Sequence, residues 1–160
     1  MGLRLTGNPG EKCFFVTTTF WRHQTYGNNN EMYEALMDCL LFYCKKYSAG
    51  LVGYVFRPTH IHLLLHIDGR LLSGFMRDFK KFISQKASRD LGINESIIWM
   101  PRYHRISIFS NDLLRIKLQY IHNNPVKSGL VESPEEWEYS SARDYSNNGT
   151  GFIPIMTDWF

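Results

Sequence analysis

Residues 51–67 read LVGYVFRPTHIHLLLHI, and they predict a β-hairpin. Two apolar runs, at residues 51–56 and 60–67, have the composition of strands. Pro58 lies between the runs and cannot donate a hydrogen bond to a neighbouring strand, so residues 57–59 are expected to form the turn. The two runs are therefore expected to pair as a hairpin.

The flanking segments predict a β-α-β-β-α-β order followed by one more helix. Apolar residues at helical spacing indicate the helices, and β-branched and aromatic runs indicate the strands. Ser73 is the expected N-cap of the second helix, which ends near Gly92. The other predicted elements are strands at residues 13–20 and 96–108, a helix at residues 31–47, and a helix capped by Asn111 or Asp112 that runs toward Pro125.

This order predicts an α+β fold of the ferredoxin-like type, in which one antiparallel sheet carries helices on one face. The additional helix and an acidic, irregular tail follow at the C-terminal side. With 160 residues, 44% of them hydrophobic, the chain is expected to form one domain at 1–160, with a core at about 11–130 and a tail at about 131–160.

The cysteines and the apolar runs indicate the compartment. The three cysteines include no C-x-x-C pair, which argues against a structural zinc site and against secretion. No apolar run approaches the roughly 20 residues that span a bilayer, and residues 1–7 lack the apolar stretch of a signal peptide. We therefore expect a cytoplasmic protein with no membrane partner.

Positive charge is concentrated in the middle of the chain. Residues 70–130 contain 11 Lys and Arg residues against 4 Asp and Glu residues, a net charge of +7 in a chain of net charge +3. Such a block is typical of a surface that binds phosphate backbones. A solvated helix face explains the same pattern equally well.

Three histidines alternate along the second strand of the hairpin. Because successive side chains of a strand point to opposite faces, His60, His62 and His66 share one face, and the apolar residues between them face the core. Imidazoles at i and i+2 are close enough to bind one divalent ion, which makes His60 and His62 candidate metal ligands. A pair of surface histidines is an equal alternative, and His66 is more typical of an ordinary half-exposed residue.

A tyrosine and an asparagine lie one turn apart on the last predicted helix. Tyr120 and Asn124 are four residues apart and share a helix face, although Pro125 disfavours helical geometry at Asn124. A tyrosine beside a metal-bound phosphodiester can act as a nucleophile, and Asn124 can complete the metal shell. Most of the nine tyrosines are nevertheless expected to do no more than pack.

Two motifs carry a resemblance to a known family. PTHIHLLL at residues 58–65 and YIHNNPVKSGLV at residues 120–131 resemble the single-tyrosine HUH transposases, and REP-associated tyrosine transposases most closely. The similarity extends from the strand at residues 14–19 to Tyr145. It implies an enzyme that binds single-stranded DNA folded as a hairpin, nicks it through a 5′-phosphotyrosine and rejoins it to a free 3′-hydroxyl.

The resemblance also implies roles for individual residues. Tyr120 is the expected nucleophile, and His60, His62 and Asn124 are the expected ligands of Mg²⁺ or Mn²⁺. Arg57 and Thr59 depart from the methionine and asparagine that are common in the family, and no role is carried over to either residue. The basic residues expected to contact DNA are Arg77, Lys80, Lys81, Arg102, Arg105 and Lys117. Related transposases include dimers with shared active sites, so both a monomer and a homodimer are open.

Three other functions fit parts of the sequence. A non-catalytic nucleic-acid-binding module of ferredoxin-like fold would display aromatic residues on an open sheet face, and Phe14, Phe15 and Tyr54 keep that alternative open. Phosphoesterases with two His-x-Thr/Ser motifs fit poorly, because neither His60 nor His62 is followed by such a hydroxyl residue. A replication or conjugation nickase shares the histidine pair, but the Tyr-x-x-x-Asn spacing favours a transposase.

Overall fold

The computed structural model describes residues 10–146 and 153–157. Within them, four antiparallel strands form one sheet in the spatial order β2-β3-β1-β4. The strands are β1 (Cys13–Thr19), β2 (Gly50–Phe56), β3 (His60–His66) and β4 (His104–Ser107). The helices are α1 (Asn30–Lys46), α2 (Leu72–Asp90), α3 (Asn111–Lys127) and α4 (Ala142–Tyr145), with 3₁₀ turns at Trp21–His23 and Pro134–Glu136. The predicted α+β fold with its antiparallel sheet is confirmed.

The two faces of the sheet bury different helices. Ile61, Leu63 and Leu65 of β3 belong to the core that α1 and α2 cover. Leu64 belongs to a second apolar cluster, in which Leu118 and Ile121 of α3 pack against the other face. A Cβ on Gly53 would lie 2.6 Å from Leu118 Cδ1, so the glycine permits the close approach of α3 to β2. The helix that carries Tyr120 and Asn124 therefore packs on the histidine face of β3.

The predicted hairpin turn is confirmed. Arg57 N–H donates to the His60 carbonyl at 2.8 Å. Pro58 lies at the tip of the turn, where no backbone N–H is needed for pairing between the strands. Gly27 packs beneath the turn and donates to the Pro58 carbonyl at 2.9 Å. A Cβ on Gly27 would lie 2.6 Å from the Arg57 carbonyl oxygen, so a larger residue there would displace the turn.

Several predicted element boundaries were wrong. Ser110 caps α3 by accepting from Leu113 N–H at 3.2 Å, whereas Asn111 and Asp112 are already helical. Helix α2 begins one residue before Ser73, and Leu71 occupies its N-cap without a side-chain hydrogen bond. Strand β4 covers only the end of the predicted 96–108 run, because Pro101 lacks the N–H that a ladder requires.

Residues in the described ranges 132–146 and 153–157 pack along the free edge of β2. Trp137 Nε1–H donates to the Phe56 carbonyl at 2.9 Å, and Tyr145 O–H donates to the Val52 carbonyl at 2.6 Å. Met156 N–H donates to the Leu51 carbonyl at 2.7 Å. These bonds use carbonyl groups that an edge strand would otherwise expose. The division into core and tail stays a prediction, and its residues 1–9, 147–152 and 158–160 lie outside the described part of the chain.

No helix in the described part of the chain has both the length and the apolar content to cross a membrane.

Candidate active site

Two histidine rings meet on the face of β3 that α3 covers. His60 Nε2 and His62 Nε2 are 3.1 Å apart. The opposite nitrogen of each ring contacts a threonine hydroxyl: His60 Nδ1 lies 2.8 Å from Thr59 Oγ1, and His62 Nδ1 lies 2.7 Å from Thr17 Oγ1. Both rings are therefore fixed in orientation with their Nε2 atoms directed to a common point.

Both histidines are neutral at neutral pH. Burial is the largest cause that lowers the pKa of His60 to about 4, with contributions from Arg57 and His23. Burial also lowers the pKa of His62 to about 3, with contributions from His60, Arg57 and Lys117. The neutral imidazole is the form that binds metals, so both rings are ready to act as ligands.

Tyr120 of α3 lies against this pair. Its ring is edge-on to His62, with 5.4 Å between ring centroids, and edge-on to Phe15 at 5.9 Å. The residue is 41% exposed, whereas His62 is 4% exposed. Helix α3 thus presents a tyrosine that solvent or a substrate can reach, beside a buried imidazole.

Asn124 lies one turn after Tyr120 and is buried. Helix α3 continues through Pro125 to Lys127, so the proline does not displace Asn124 from the helix. Arg57 Nη1–H donates a hydrogen bond to Asn124 Oδ1. The amide oxygen has two lone pairs, so it can accept this bond and still serve as a ligand.

These residues fit a divalent ion. Two neighbouring ligands of an octahedral ion, each about 2.1 Å from it, are about 3 Å apart, which matches the separation of the two Nε2 atoms. Among the described residues no three His, Cys, Asp or Glu side chains are grouped to hold a metal, so a third protein ligand would be of another type, and the amide oxygen of Asn124 is a candidate. Imidazole favours softer ions than Mg²⁺, whereas an amide oxygen suits Mg²⁺ and Mn²⁺.

The residues predicted to contact DNA are spread over both faces of the sheet. Lys117 lies beside the site, with Nζ 4.9 Å from the Phe15 ring centroid and 5.8 Å from that of Tyr120. Arg105 lies over Phe14 at 5.6 Å, and Arg102 is exposed. The structure thus brings one predicted DNA contact, Lys117, directly to Tyr120.

The three candidates on α2 lie on the opposite side of the sheet from α3. Lys80 Nζ–H donates to the Met100 carbonyl at 2.8 Å, and burial lowers the pKa of Lys80. Arg77 pairs with Asp78 at 2.9 Å, and Lys81 is exposed. Lys80 therefore has a structural partner, whereas Lys81 keeps its charge at the surface.

Sequence reasoning assigned no role to Arg57, which the structure places within the site. A basic residue three positions before His60, at the hairpin turn, was the only available signal.

A second missed contact joins His122 Nε2 to Ser141 Oγ at 2.9 Å, and the same hydroxyl accepts from Tyr54 N–H at 3.0 Å. This contact ties α3 to β2 through the segment that follows α3.

Comparison with known proteins identifies the family. Residues 12–124 match the family model described as "Transposase IS200 like". This chain belongs to the IS200-like transposase family. The matched residues include the histidine pair, Tyr120 and Asn124, so the resemblance predicted from the two motifs is confirmed.

The relatives of this chain agree with that assignment. A Haemophilus influenzae protein named as a REP-associated tyrosine transposase is 32% identical in an alignment of 108 positions, and the match covers 61% of this chain and 61% of that protein. The structure titled as a REP-associated tyrosine transposase bound to a REP hairpin matches with a TM-score of 0.75 and 20% identity, over 98% of this chain and 95% of the other. A Deinococcus radiodurans R1 protein classed as a transposase matches with a TM-score of 0.52 and 21% identity, over 73% and 93%. The two solved structures confirm the fold.

Proposed function

We propose that this IS200-like transposase nicks and rejoins single-stranded, hairpin-containing DNA through a 5′-phosphotyrosine on Tyr120, in a reaction that requires Mg²⁺ or Mn²⁺. One observation supports this most directly. Tyr120 of α3 packs edge-on to His62, whose Nε2 is 3.1 Å from that of His60. A nucleophile beside a two-histidine site is the arrangement that metal-assisted attack on a phosphodiester requires.

The chemical step exchanges one phosphate ester for another. Tyr120 Oη attacks phosphorus in line, the Oη–P bond forms and the P–O3′ bond breaks. The phenol proton passes to solvent, and the departing 3′ oxygen takes a proton from solvent. Attack by a free 3′-hydroxyl reverses the step, joins the strands and restores the phenol.

The ligand residues prepare the site for the phosphate. Nε2 of His60, Nε2 of His62 and Oδ1 of Asn124 would hold the cation, which when bound neutralises phosphate charge and stabilises the leaving oxygen. Thr17 and Thr59 keep the rings oriented through their Nδ1 atoms. Since neither imidazole carries a proton at both nitrogens at neutral pH, no net proton has to leave before the cation binds; each ring would keep its one proton on Nδ1, which faces a threonine hydroxyl.

DNA binding would use the basic surface around the site. Lys117, whose Nζ lies 5.8 Å from the Tyr120 ring centroid, would contact a phosphate next to the one that Tyr120 attacks. Arg102, Arg105, Lys81 and Arg77 would contact the backbone further away, with Lys80 the weakest candidate because it already bonds to Met100. Both a monomer and a homodimer stay open for the active species. The cytoplasmic location stays a prediction.

The competing function, a non-catalytic binding module, is less well supported. It needs exposed aromatic residues on an open sheet face. Helix α3 covers that face here, and Phe15 is 6% exposed and Tyr54 fully buried. Phe15 cannot stack on a base without displacement of α3. Tyr54 belongs to the core that α1 and α2 cover, so it would need displacement of those helices.

Adduct formation with DNA hairpins tests the proposal. We expect the purified protein, incubated with a pool of single-stranded hairpins and Mg²⁺, to form a covalent complex that survives a denaturing gel. Tyr120→Phe and His62→Ala should abolish it. Two matched substitutions should preserve it: Tyr43→Phe, which lies on α1 away from the site, and His66→Ala, at the other end of β3. Hairpins that bind without any nick or adduct would favour the binding module.

A further inference from the structure

Arg57 places a positive charge in the site, and no acidic side chain in the described part of the chain pairs with it. The side chain is half-buried, and none of the ion pairs found among residues 10–146 and 153–157 includes it. Its Nη1–H donates to the amide oxygen of Asn124, and its buried Nε has no hydrogen-bond partner within the described residues. An amide satisfies one donor but neutralises no charge.

Buried cations in proteins are normally paired with anions, because desolvation of an isolated charge is costly. The groups around Arg57 make its charge more costly. The positive charge of Arg57 lowers the pKa of both His60 and His62, which favours their neutral forms. Neither histidine therefore supplies a charge that offsets that of Arg57. Among the described residues, the groups that oppose the effect of burial on the pKa of Arg57 are the phenols of Tyr33 and Tyr120. The site therefore contains an uncompensated guanidinium, which is the property of an anion-binding site.

The position of Arg57 identifies the anion. The guanidinium has five N–H donors in a planar fork, which matches a phosphate better than a lysine does. It bonds to Asn124, one helical turn from Tyr120, and its charge acts on both histidines. An anion bound here would lie among the nucleophile and the proposed metal ligands.

We infer that the guanidinium of Arg57 binds the phosphate that Tyr120 attacks and stabilises the negative charge that the phosphate carries in the transition state. The inference rests on the proposed function and adds a catalytic residue to it. Arg57 would supply a fixed positive charge on the protein in addition to the charge of the cation. Such fixed donors are commonly worth about 10²–10³ in rate.

A simpler role is to hold Asn124 in place. That role predicts weaker metal binding when Arg57 is replaced, since Asn124 Oδ1 would lose its orientation. Phosphate binding predicts loss of anion affinity and of reaction rate with metal affinity largely retained. The two roles are therefore separable by measurement.

The experiment compares wild type with Arg57→Met, which removes the charge and keeps a long side chain, and with Arg57→Lys, which keeps the charge without the planar fork. Arg70→Met is the matched control, because Arg70 is exposed and lies away from the site, where its Nη2 is 2.7 Å from Asp68 Oδ2. Three quantities are measured: the thermal midpoint of metal-free protein in inorganic phosphate at constant ionic strength, Mn²⁺ affinity without DNA, and the single-turnover rate of adduct formation at saturating metal and DNA.

We expect phosphate at about ten times its dissociation constant to raise the midpoint of wild type and Arg70→Met by about 3 °C or more, with no rise for Arg57→Met. Adduct formation should slow at least about 10²-fold in Arg57→Met and less in Arg57→Lys, while Mn²⁺ affinity changes by less than about threefold. Equal stabilisation of wild type and Arg57→Met by phosphate would overturn the inference. So would a wild-type rate in Arg57→Met, or a loss of Mn²⁺ affinity as large as the loss of rate.

The phosphate measurement also separates this inference from the proposed function. If wild type forms no adduct with any hairpin, the nuclease proposal fails. The stabilisation by phosphate still reports whether Arg57 binds an anion, since it requires neither DNA nor metal.

Discussion

Two neighbouring threonines of β1 offer a matched test of how the histidine site is held. Thr17 Oγ1 contacts His62 Nδ1 at 2.7 Å. Thr18 lies on the opposite face of the strand, is 1% exposed, and its Oγ1 has no hydrogen-bond partner among the described residues. Replacement by valine keeps the shape of each side chain and removes only the hydroxyl. Thr17→Val and Thr18→Val should therefore have different consequences.

The expected magnitudes follow from these contacts. Since His62 is 4% exposed, water cannot readily replace Thr17, and Thr17→Val should lower the free energy of unfolding by about 1–3 kcal/mol. Thr18→Val removes a buried hydroxyl that makes no bond, so the free energy of unfolding should stay unchanged or rise by about 1 kcal/mol. Loss of the group that orients a metal-binding histidine typically lowers metal affinity about 10- to 100-fold, and only Thr17→Val should show this.

Urea unfolding gives the stabilities, and calorimetric titration with Mn²⁺ gives the affinities. The two variants share a strand, a residue type and a substitution, so general effects on β1 cancel in their comparison. Equal destabilisation by Thr17→Val and Thr18→Val would refute the assigned roles of the two hydroxyls. Unchanged Mn²⁺ affinity in Thr17→Val would show that the hydroxyl does not orient His62 for metal.

Three further outcomes are expected. Burial raises the pKa of Cys13 to about 11 and that of Cys44 to about 12, and it also raises the pKa of Cys39. Thiol reagents at pH 8 should therefore label the native protein far more slowly than the unfolded protein, and equal labelling rates would contradict the burial of these thiols. Burial lowers the pKa of His122 to about 4, so its contribution to stability is present above pH 6.5 and is lost as the pH falls toward 4. In urea unfolding, His122→Gln should reduce this acid-dependent loss of the free energy of unfolding by up to about 3 kcal/mol, and an unchanged pH dependence would contradict the assignment. The proposed ligands carry no negative charge, so Mn²⁺ should bind more tightly when hairpin DNA supplies a phosphate, and calorimetry that gave equal affinities with and without DNA would argue against a shared site.

Short-range patterns were enough to predict much of the fold. Alternation along residues 60–67 placed the histidines on one face and the apolar residues on the other, and Pro58 placed the turn. The helices followed from apolar spacing. Their caps were less predictable, because Ser110, Asn111 and Asp112 are all good capping residues and only the backbone decides which one accepts from the first turn.

The features that sequence reasoning missed depend on contacts between distant residues. Arg57 and Asn124 are 67 positions apart, and no local pattern indicates that a guanidinium at the turn reaches the amide on α3. The contact of Trp137 with the Phe56 carbonyl spans 81 positions in the same way. The composition after residue 131 predicted an irregular tail. Composition contains no signal that this segment packs along the edge of β2.

The central claim is that Tyr120 becomes covalently attached to DNA, and peptide mass spectrometry tests it most directly. Trypsin cleavage after Lys117 and Lys127 releases LQYIHNNPVK, a peptide in which Tyr120 is the only tyrosine. After reaction with hairpin DNA and Mg²⁺, followed by nuclease digestion, this peptide should carry the mass of a 5′-linked nucleotide, and omission of the metal should remove the modification. A nicked product with this peptide unmodified, or with the nucleotide on another tyrosine, would contradict the account.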